Sequence, residues 1–214
     1  MLEDITGEEI KRKFKSNKKL RIITFVIGTI VILVLGYFLY RQFVWSPSNE
    51  KSKDVYWQAL NYAAIDSTDM ALDDLKSYAK KYDGKVGGEV SQFVYARQLM
   101  TKGEFKKAQT ELEDVDLEDT YAKILAIGLQ GDCQSELKKY EDAANTYMEA
   151  ADMLENDLTT PMYLLKAGMC AEEIKNFEKA AEVYERIKDD FPQYASQKQV
   201  EKYLARASSK KTSK

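Results

Sequence analysis

From Asp54 to about Ala207, apolar residues recur every three to four positions, the period of helices that each bury one face. Three stretches share an order as well as a period. "KNFEKAAEVYERIKDDFP" (175–192) gives Phe177, the pair Ala180 and Ala181, then Tyr184, Ile187 and a closing Pro192. "KKYEDAANTYMEA" (138–150) gives Tyr140, Ala143, Ala144, Tyr147 and Ala150, and "GEFKKAQTEL" (103–112) gives Phe105, Ala108 and Leu112. Aligning Ala71, Ala108, Ala143 and Ala180 yields spacings of 37, 35 and 37 residues, with Leu75, Leu112, Tyr147 and Tyr184 four positions further on. Self-similarity at this period predicts an all-α solenoid of about four helical hairpins.

Twelve residues before those alanines stand Ala59, Ala96, Gly131 and Gly168. A glycine inside a helix costs up to about 1 kcal/mol relative to alanine, so a packing reason is needed. The expected reason is close approach within each hairpin: Ala180 against the small face at Gly168, with Phe177, Tyr184 and Ile187 filling the groove towards neighbouring hairpins. "DLTTPMYLL" predicts Thr160 as N-cap and Pro161 at the first helical position. "DDFP" predicts a helix end before Pro192. A last helix, near Gln193 to Ala207, is expected to cap the solenoid, with 208–214 ("SSKKTSK") as a disordered tail.

The segment Ile22 to Tyr40, "IITFVIGTIVILVLGYFLY", departs from this pattern: 19 residues carry no charge. As a helix it spans about 28 Å, close to a bilayer's hydrocarbon core. Tyr37, Tyr40 and Trp45 crowd one end as an interfacial belt does. A cleaved signal peptide is the competing reading, but the run is long for one and ends in "YFLYRQFVW" rather than a small-x-small cleavage site. Lys11, Arg12, Lys13, Lys15, Lys18, Lys19 and Arg21 precede the run and Arg41 alone follows closely, which predicts a cytoplasmic N-terminus and an exported C-terminal domain. The expected organisation is a basic cytoplasmic tail (1–21), a single-pass anchor (22–41), a polar linker (42–53, including "SPSNEKSK"), the repeat domain (54–207) and the tail (208–214).

Composition narrows the chemistry. The 214 residues include no histidine and two cysteines, and the net charge is −3. The commonest general base and metal ligand is therefore absent, and a nucleic-acid partner is a poor match. No cofactor, metal or small-molecule substrate is expected, and the chain is read as non-enzymatic. Carboxylate neighbours such as Asp73–Asp74, Glu172–Glu173 and Asp189–Asp190 diverge by about 100° on a helix and read as solvated faces. Cys133 and Cys170 share one repeat offset. Neighbouring packed helices stand about 8–10 Å apart, farther than a disulfide bridges, so buried or semi-buried thiols are expected over a disulfide. Gly84, Gly87 and Gly88 read as a loop between hairpins, because no strand or Gly-Lys-Ser/Thr accompanies them.

Stacked hairpins line one side with their first helices. At the matching offsets that side carries Phe93, Arg97, Met100, Leu125, Asp132, Met162, Leu165 and Met169. It reads as an apolar, Met-rich partner-binding groove with two isolated charges, Arg97 and Asp132. Part of this set alternatively packs beneath the C-terminal helix, with Met162 and Met169 covered by Val200, Tyr203 or Leu204.

The repeat pattern resembles the tetratricopeptide repeat: Gly168, Ala180, Tyr184 and Pro192 occupy that motif's glycine, alanine, aromatic and closing proline, and Gly131, Ala143, Tyr147 and Ala150 repeat most of it. The units around Ala71 and Ala108 depart, with leucine for the aromatic and no closing proline. Together with the N-terminal apolar segment, "LQGDCQSELKKYEDAANTYMEAA" and "NDLTTPMYLLKAGMCAEEIKNFEKAAEVYERI" resemble the ancillary SecYEG translocon subunit family. That resemblance implies a protein of the bacterial inner membrane with a periplasmic repeat domain, partnering the SecYEG translocon and a membrane-anchored periplasmic chaperone of the peptidyl-prolyl isomerase class. A direct holdase for unfolded exported chains, or a scaffold for envelope or division assembly, is the alternative.

Overall fold

The computed structural model describes residues 12, 14–64 and 68–211, and no strand occurs among them. The chain divides into two compact units, Met1–Glu50 and Lys51–Lys214.

In the first unit, α1 (Lys18–Tyr40) is capped by Asn17, whose side chain accepts from the Leu20 N–H at 3.2 Å. None of its residues is buried, and it is long and apolar enough to cross a membrane. A π-helical turn, Arg41–Trp45, follows, with the Ser46 N–H donating to the Arg41 carbonyl. α2 (Ser46–Ala64) begins at once. The stretch 46–53, expected as a polar linker, is helical. Pro47 lacks an N–H and crowds the carbonyl four residues back, and the π-turn just before it relaxes that ladder instead of ending the helix.

In the second unit α2 is followed by α3 (Thr68–Lys81), and α4 (Val86–Thr101) pairs with α5 (Phe105–Glu113), α6 (Thr120–Glu136) with α7 (Tyr140–Asp152), and α8 (Thr159–Glu173) with α9 (Phe177–Asp190). From α3 to α9 each helix packs on the next. One core gathers Leu75, Val94, Leu99 and Leu112; another gathers Ile124, Tyr147, Leu164, Tyr184 and Ile187. Ala108, Ala143 and Ala180, the aligned small residues, are fully buried. The side chains of Ala59 and Ala71 lie outside the described residues.

Three hairpins turn in the same way. Gly103, Lys138 and Lys175 all adopt positive φ (76°, 60° and 60°) just past the first helix. The N–H groups of Glu104, Lys139 and Asn176 each reach back to a carbonyl five residues earlier, at Leu99, Gln134 and Ala171. This left-handed cap satisfies the last carbonyls of the helix. Glycine adopts it without strain; the two lysines do not.

The glycines inside the first helices make room for tyrosine rings. A Cβ on Gly131 would lie 2.6 Å from the Tyr147 ring, and one on Gly168 would lie 2.4 Å from the Tyr184 ring. Gly128 faces Tyr163 of the next hairpin in the same way, at 2.2 Å. The expected partner of Gly168 was Ala180; the ring of Tyr184, one turn further on, covers it instead, because an aromatic fills the space that one missing Cβ opens.

Four further expectations are corrected. Gly87 and Gly88 lie within α4 rather than in a loop; a Cβ on either would fall within 2 Å of a backbone oxygen, of Ser52 or Tyr82. Thr160 is the second residue of α8, not its cap. Asn156 Oδ1 accepts from the N–H groups of Leu158 and Thr159, while the Thr160 hydroxyl donates to the Ala151 carbonyl. The capping region is two helices, α10 (Pro192–Lys198) and α11 (Val200–Lys211), divided at Gln199, which adopts left-handed φ 55°. Residues 208–211 of the expected tail continue α11, and Lys211 pairs with Glu178 at 3.0 Å; residues 212–214 lie outside the described residues. α11 packs on α9 and buries Val200 and Ala207.

Gly168→Ala is expected to cost about 1–3 kcal/mol, since the buried Tyr184 ring must move. Lys175→Gly is expected to gain up to about 1 kcal/mol by relieving left-handed strain, less the extra entropy of the unfolded chain. Urea unfolding of both variants checks the signs; a neutral Gly168→Ala contradicts the ring-in-gap packing.

Candidate functional site

The eight residues expected on the first helices do not form one exposed stripe. Phe93 and Met100 are half-buried against the earlier core, and Met162 and Leu165 against the later one, which also takes in Val200, Tyr203 and Leu204. Arg97 is exposed on α4. Leu125 (44% exposed) and Met169 (37%) are the apolar members that present substantial surface. Sequence reasoning passed over Tyr121 and Leu158, which stand 37 residues apart in the register of the repeat and are more exposed still, Leu158 at 75%. The periodic spacing that selected Leu125 and Met162 selects these two as well, one turn earlier.

Asp132 is not an isolated charge. It accepts from the Tyr147 hydroxyl at 2.6 Å and from Lys166 Nζ at 2.6 Å. The Lys166 ammonium also lies 5.4 Å from the Tyr147 ring centre and 5.8 Å from that of Tyr163, and the two rings stack 6.2 Å apart. The next hairpin repeats the motif. Glu172 accepts from the Tyr184 hydroxyl at 3.0 Å and from two nitrogens of Arg206 at 2.8 Å, and Arg206 lies over Tyr203. Asp152 and Arg186 make a third link at 2.8 Å. Each carboxylate–cation pair spans 34 residues, so each joins one hairpin to the element that follows. That spacing was present in the sequence but is offset from the alanine register, and the charges were read singly.

Electrostatics follow the burial. Burial, reinforced by Asp132, holds the Tyr147 phenol far above its ordinary value; burial and Glu172 do the same for Tyr184. Tyr163 is pushed up to about 12, first by burial and then by Asp132. Burial also lifts the Cys133 thiol to about 11. Both cysteines are free and buried, and Cys170 Sγ lies 4.0 Å from the Ser135 hydroxyl. Among the described residues no group of three acidic, cysteine or histidine side chains converges to hold a metal.

The arrangement is a set of hairpins braced by buried tyrosines, with scattered apolar surface on the first helices. A tetratricopeptide repeat-like domain profile matches residues 11–128, more than half of the chain, and a tetratricopeptide repeat profile matches residues 163–194. The chain belongs to the tetratricopeptide repeat-like domain family. No curated protein matches it. Tetratricopeptide repeats point to a scaffold for protein–protein interaction.

Because the folded state holds the phenolic protons of Tyr147, Tyr163 and Tyr184 more tightly than the unfolded chain does, their contribution is complete below about pH 10 and is lost as pH rises through the folded values. Stability is expected to fall between about pH 10 and 12, less steeply in Tyr147→Phe; urea midpoints across that range test it. Asp132→Asn removes a charge-assisted acceptor shared by Tyr147 and Lys166 and is expected to cost about 1–2 kcal/mol at neutral pH.

Proposed function

We propose that this protein is a single-pass, membrane-anchored, non-enzymatic tetratricopeptide scaffold of the bacterial inner membrane. Its N-terminus faces the cytoplasm and its repeat domain the periplasm, where it docks protein partners. The observation that carries the reading is the span of the family match. Residues 11–128 include the apolar helix α1 together with α2 to α5, and an apolar segment inside the matched stretch supports reading it as an anchor retained with the repeats. The exposed apolar residues Leu125 and Met169 on the first helices support a docking role. The basic residues Lys15, Lys18, Lys19 and Arg21, before the uncharged run, support the orientation.

The specific partners in this reading, through the resemblance to ancillary translocon subunits, are the SecYEG translocon and a periplasmic peptidyl-prolyl isomerase-class chaperone. The groove residues Phe93, Arg97, Met100, Leu125, Asp132, Met162, Leu165 and Met169 keep a place in it as the partner-facing side, with the exposed members making first contact and Asp132 acting through Tyr147 and Lys166.

Two experiments test this. Alkaline phosphatase joined after Lys214 is expected to be active in a bacterial host, and a stable but inactive fusion overturns the orientation. Co-purification from solubilised membranes is expected to recover a stoichiometric membrane partner, and Leu125→Asp with Met169→Asp to reduce recovery tenfold or more. Glu182→Ala, on the exposed side of α9, serves as control. Unchanged recovery removes the first-helix face as the docking site; suppression of aggregation of unrelated clients by the purified protein, with no stable partner, favours the holdase.

A further inference from the structure

A groove of about 570 Å³ opens between the start of α8 and the junction of α9 with α10. Its floor is apolar: Phe191 is buried, and Met162 and Tyr194 are half-buried. Leu158 stands at its edge with three-quarters of its surface in solvent, and Pro192 is exposed beside it. An isolated exposed leucine needs no explanation, but one lining a hollow floored by a phenylalanine, a methionine and a tyrosine provides the apolar surface of a docking site. The volume lies in the range of pockets that take a defined ligand group.

Charge says what fits. Asp157 and Asp190 line the same groove and are exposed, and Arg186 approaches Asp190 only at 3.8 Å. Glu155 and Asp189 lie nearby in sequence and are also exposed, Asp189 within 3.7 Å of Lys188. Lys198 is the basic member of the lining, at the C-terminal end of α10. Two carboxylates against one ammonium make the lining net negative, which disfavours an acidic peptide and attracts a basic one.

We infer that this groove docks a cationic amphipathic segment of a partner protein, an aliphatic or aromatic side chain seating against Leu158, Met162, Phe191 and Tyr194 while flanking lysines or arginines pair with Asp157 and Asp190. The inference rests on the scaffold reading and adds to it the chemical class of the partner segment and the place where it binds. Met162 is the residue that this groove shares with the first-helix face.

The test uses the full chain in phosphatidylcholine nanodiscs, with empty nanodiscs as blank. The probe is a fluorescein-labelled 15-residue amphipathic peptide of leucine and lysine, compared by anisotropy with the same sequence carrying glutamate for lysine. The lysine peptide is expected to bind at least tenfold more tightly than the glutamate peptide, and more weakly as salt rises. Asp157→Lys with Asp190→Lys is expected to weaken it at least tenfold, and Leu158→Ser to weaken both peptides; Glu182→Lys, away from the groove, is expected to leave binding unchanged. All four positions are exposed, and thermal melts confirm the fold of each variant. Equal binding of the two peptides, or full binding by the double variant, overturns the inference, as does a Leu158-dependent dimer that fills the groove with a second copy. Co-purification separates the two readings. A membrane partner retained by the double variant defeats the groove and leaves the scaffold standing, whereas groove-dependent peptide binding with no partner recovered from membranes defeats the scaffold.

Discussion

The later half of the repeat domain depends on one contact, a tyrosine ring set into the space above a glycine of the facing helix. At Gly131 and Gly168 the ring comes from the second helix of the same hairpin, and at Gly128 from the first helix of the next. The first kind fixes how two helices of a hairpin approach, and the second fixes how hairpins stack. A glycine in mid-helix costs roughly 1 kcal/mol in propensity, whereas losing a buried aromatic costs about 3–5 kcal/mol, so the exchange favours the packed state.

The polar part of the same rings organises what surrounds them. A buried phenol requires an acceptor, and Asp132 and Glu172 supply it for Tyr147 and Tyr184. Those carboxylates then hold Lys166 and Arg206 from the following elements. The cationic ends of these pairs are half-exposed and so screened by solvent, which lets the pairs orient adjoining hairpins more than stabilise them. Glu89 serves the earlier hairpins similarly. It is buried and accepts from the N–H groups of Gly84 and Asp116, which ties the loops on either side of the α4–α5 hairpin.

Much of this was legible in the sequence. The alanine register located the helices, and Leu75, Leu112, Tyr147 and Tyr184 proved to be core residues. The register also marked Gly131 and Gly168 as contact points, though it named the wrong partner, because one-dimensional spacing does not distinguish a flat alanine face from a ring lying over it. Pro47 and "SPSNEKSK" read as a linker, since composition does not reveal a π-turn that absorbs a proline. The expected groove fared unevenly. Phe93 and Met162 were assigned to it by offset, yet burial depends on the helices alongside, and the same offsets held Leu158 and Tyr121 in view without selecting them. The acid–base links at 34 residues were missed because they join neighbours in the stack rather than equivalents in the repeat.

The two thiols carry a consequence of the repeat itself. Cys133 and Cys170 stand 37 residues apart, at equivalent places in successive hairpins, and each is enclosed by its own surroundings. The repeat register puts both in enclosed positions, Cys133 in the earlier core and Cys170 in the later one. Burial lifts both thiols above their ordinary value and so leaves less of the reactive thiolate near neutral pH, which makes each cysteine a poor nucleophile while its core stays closed.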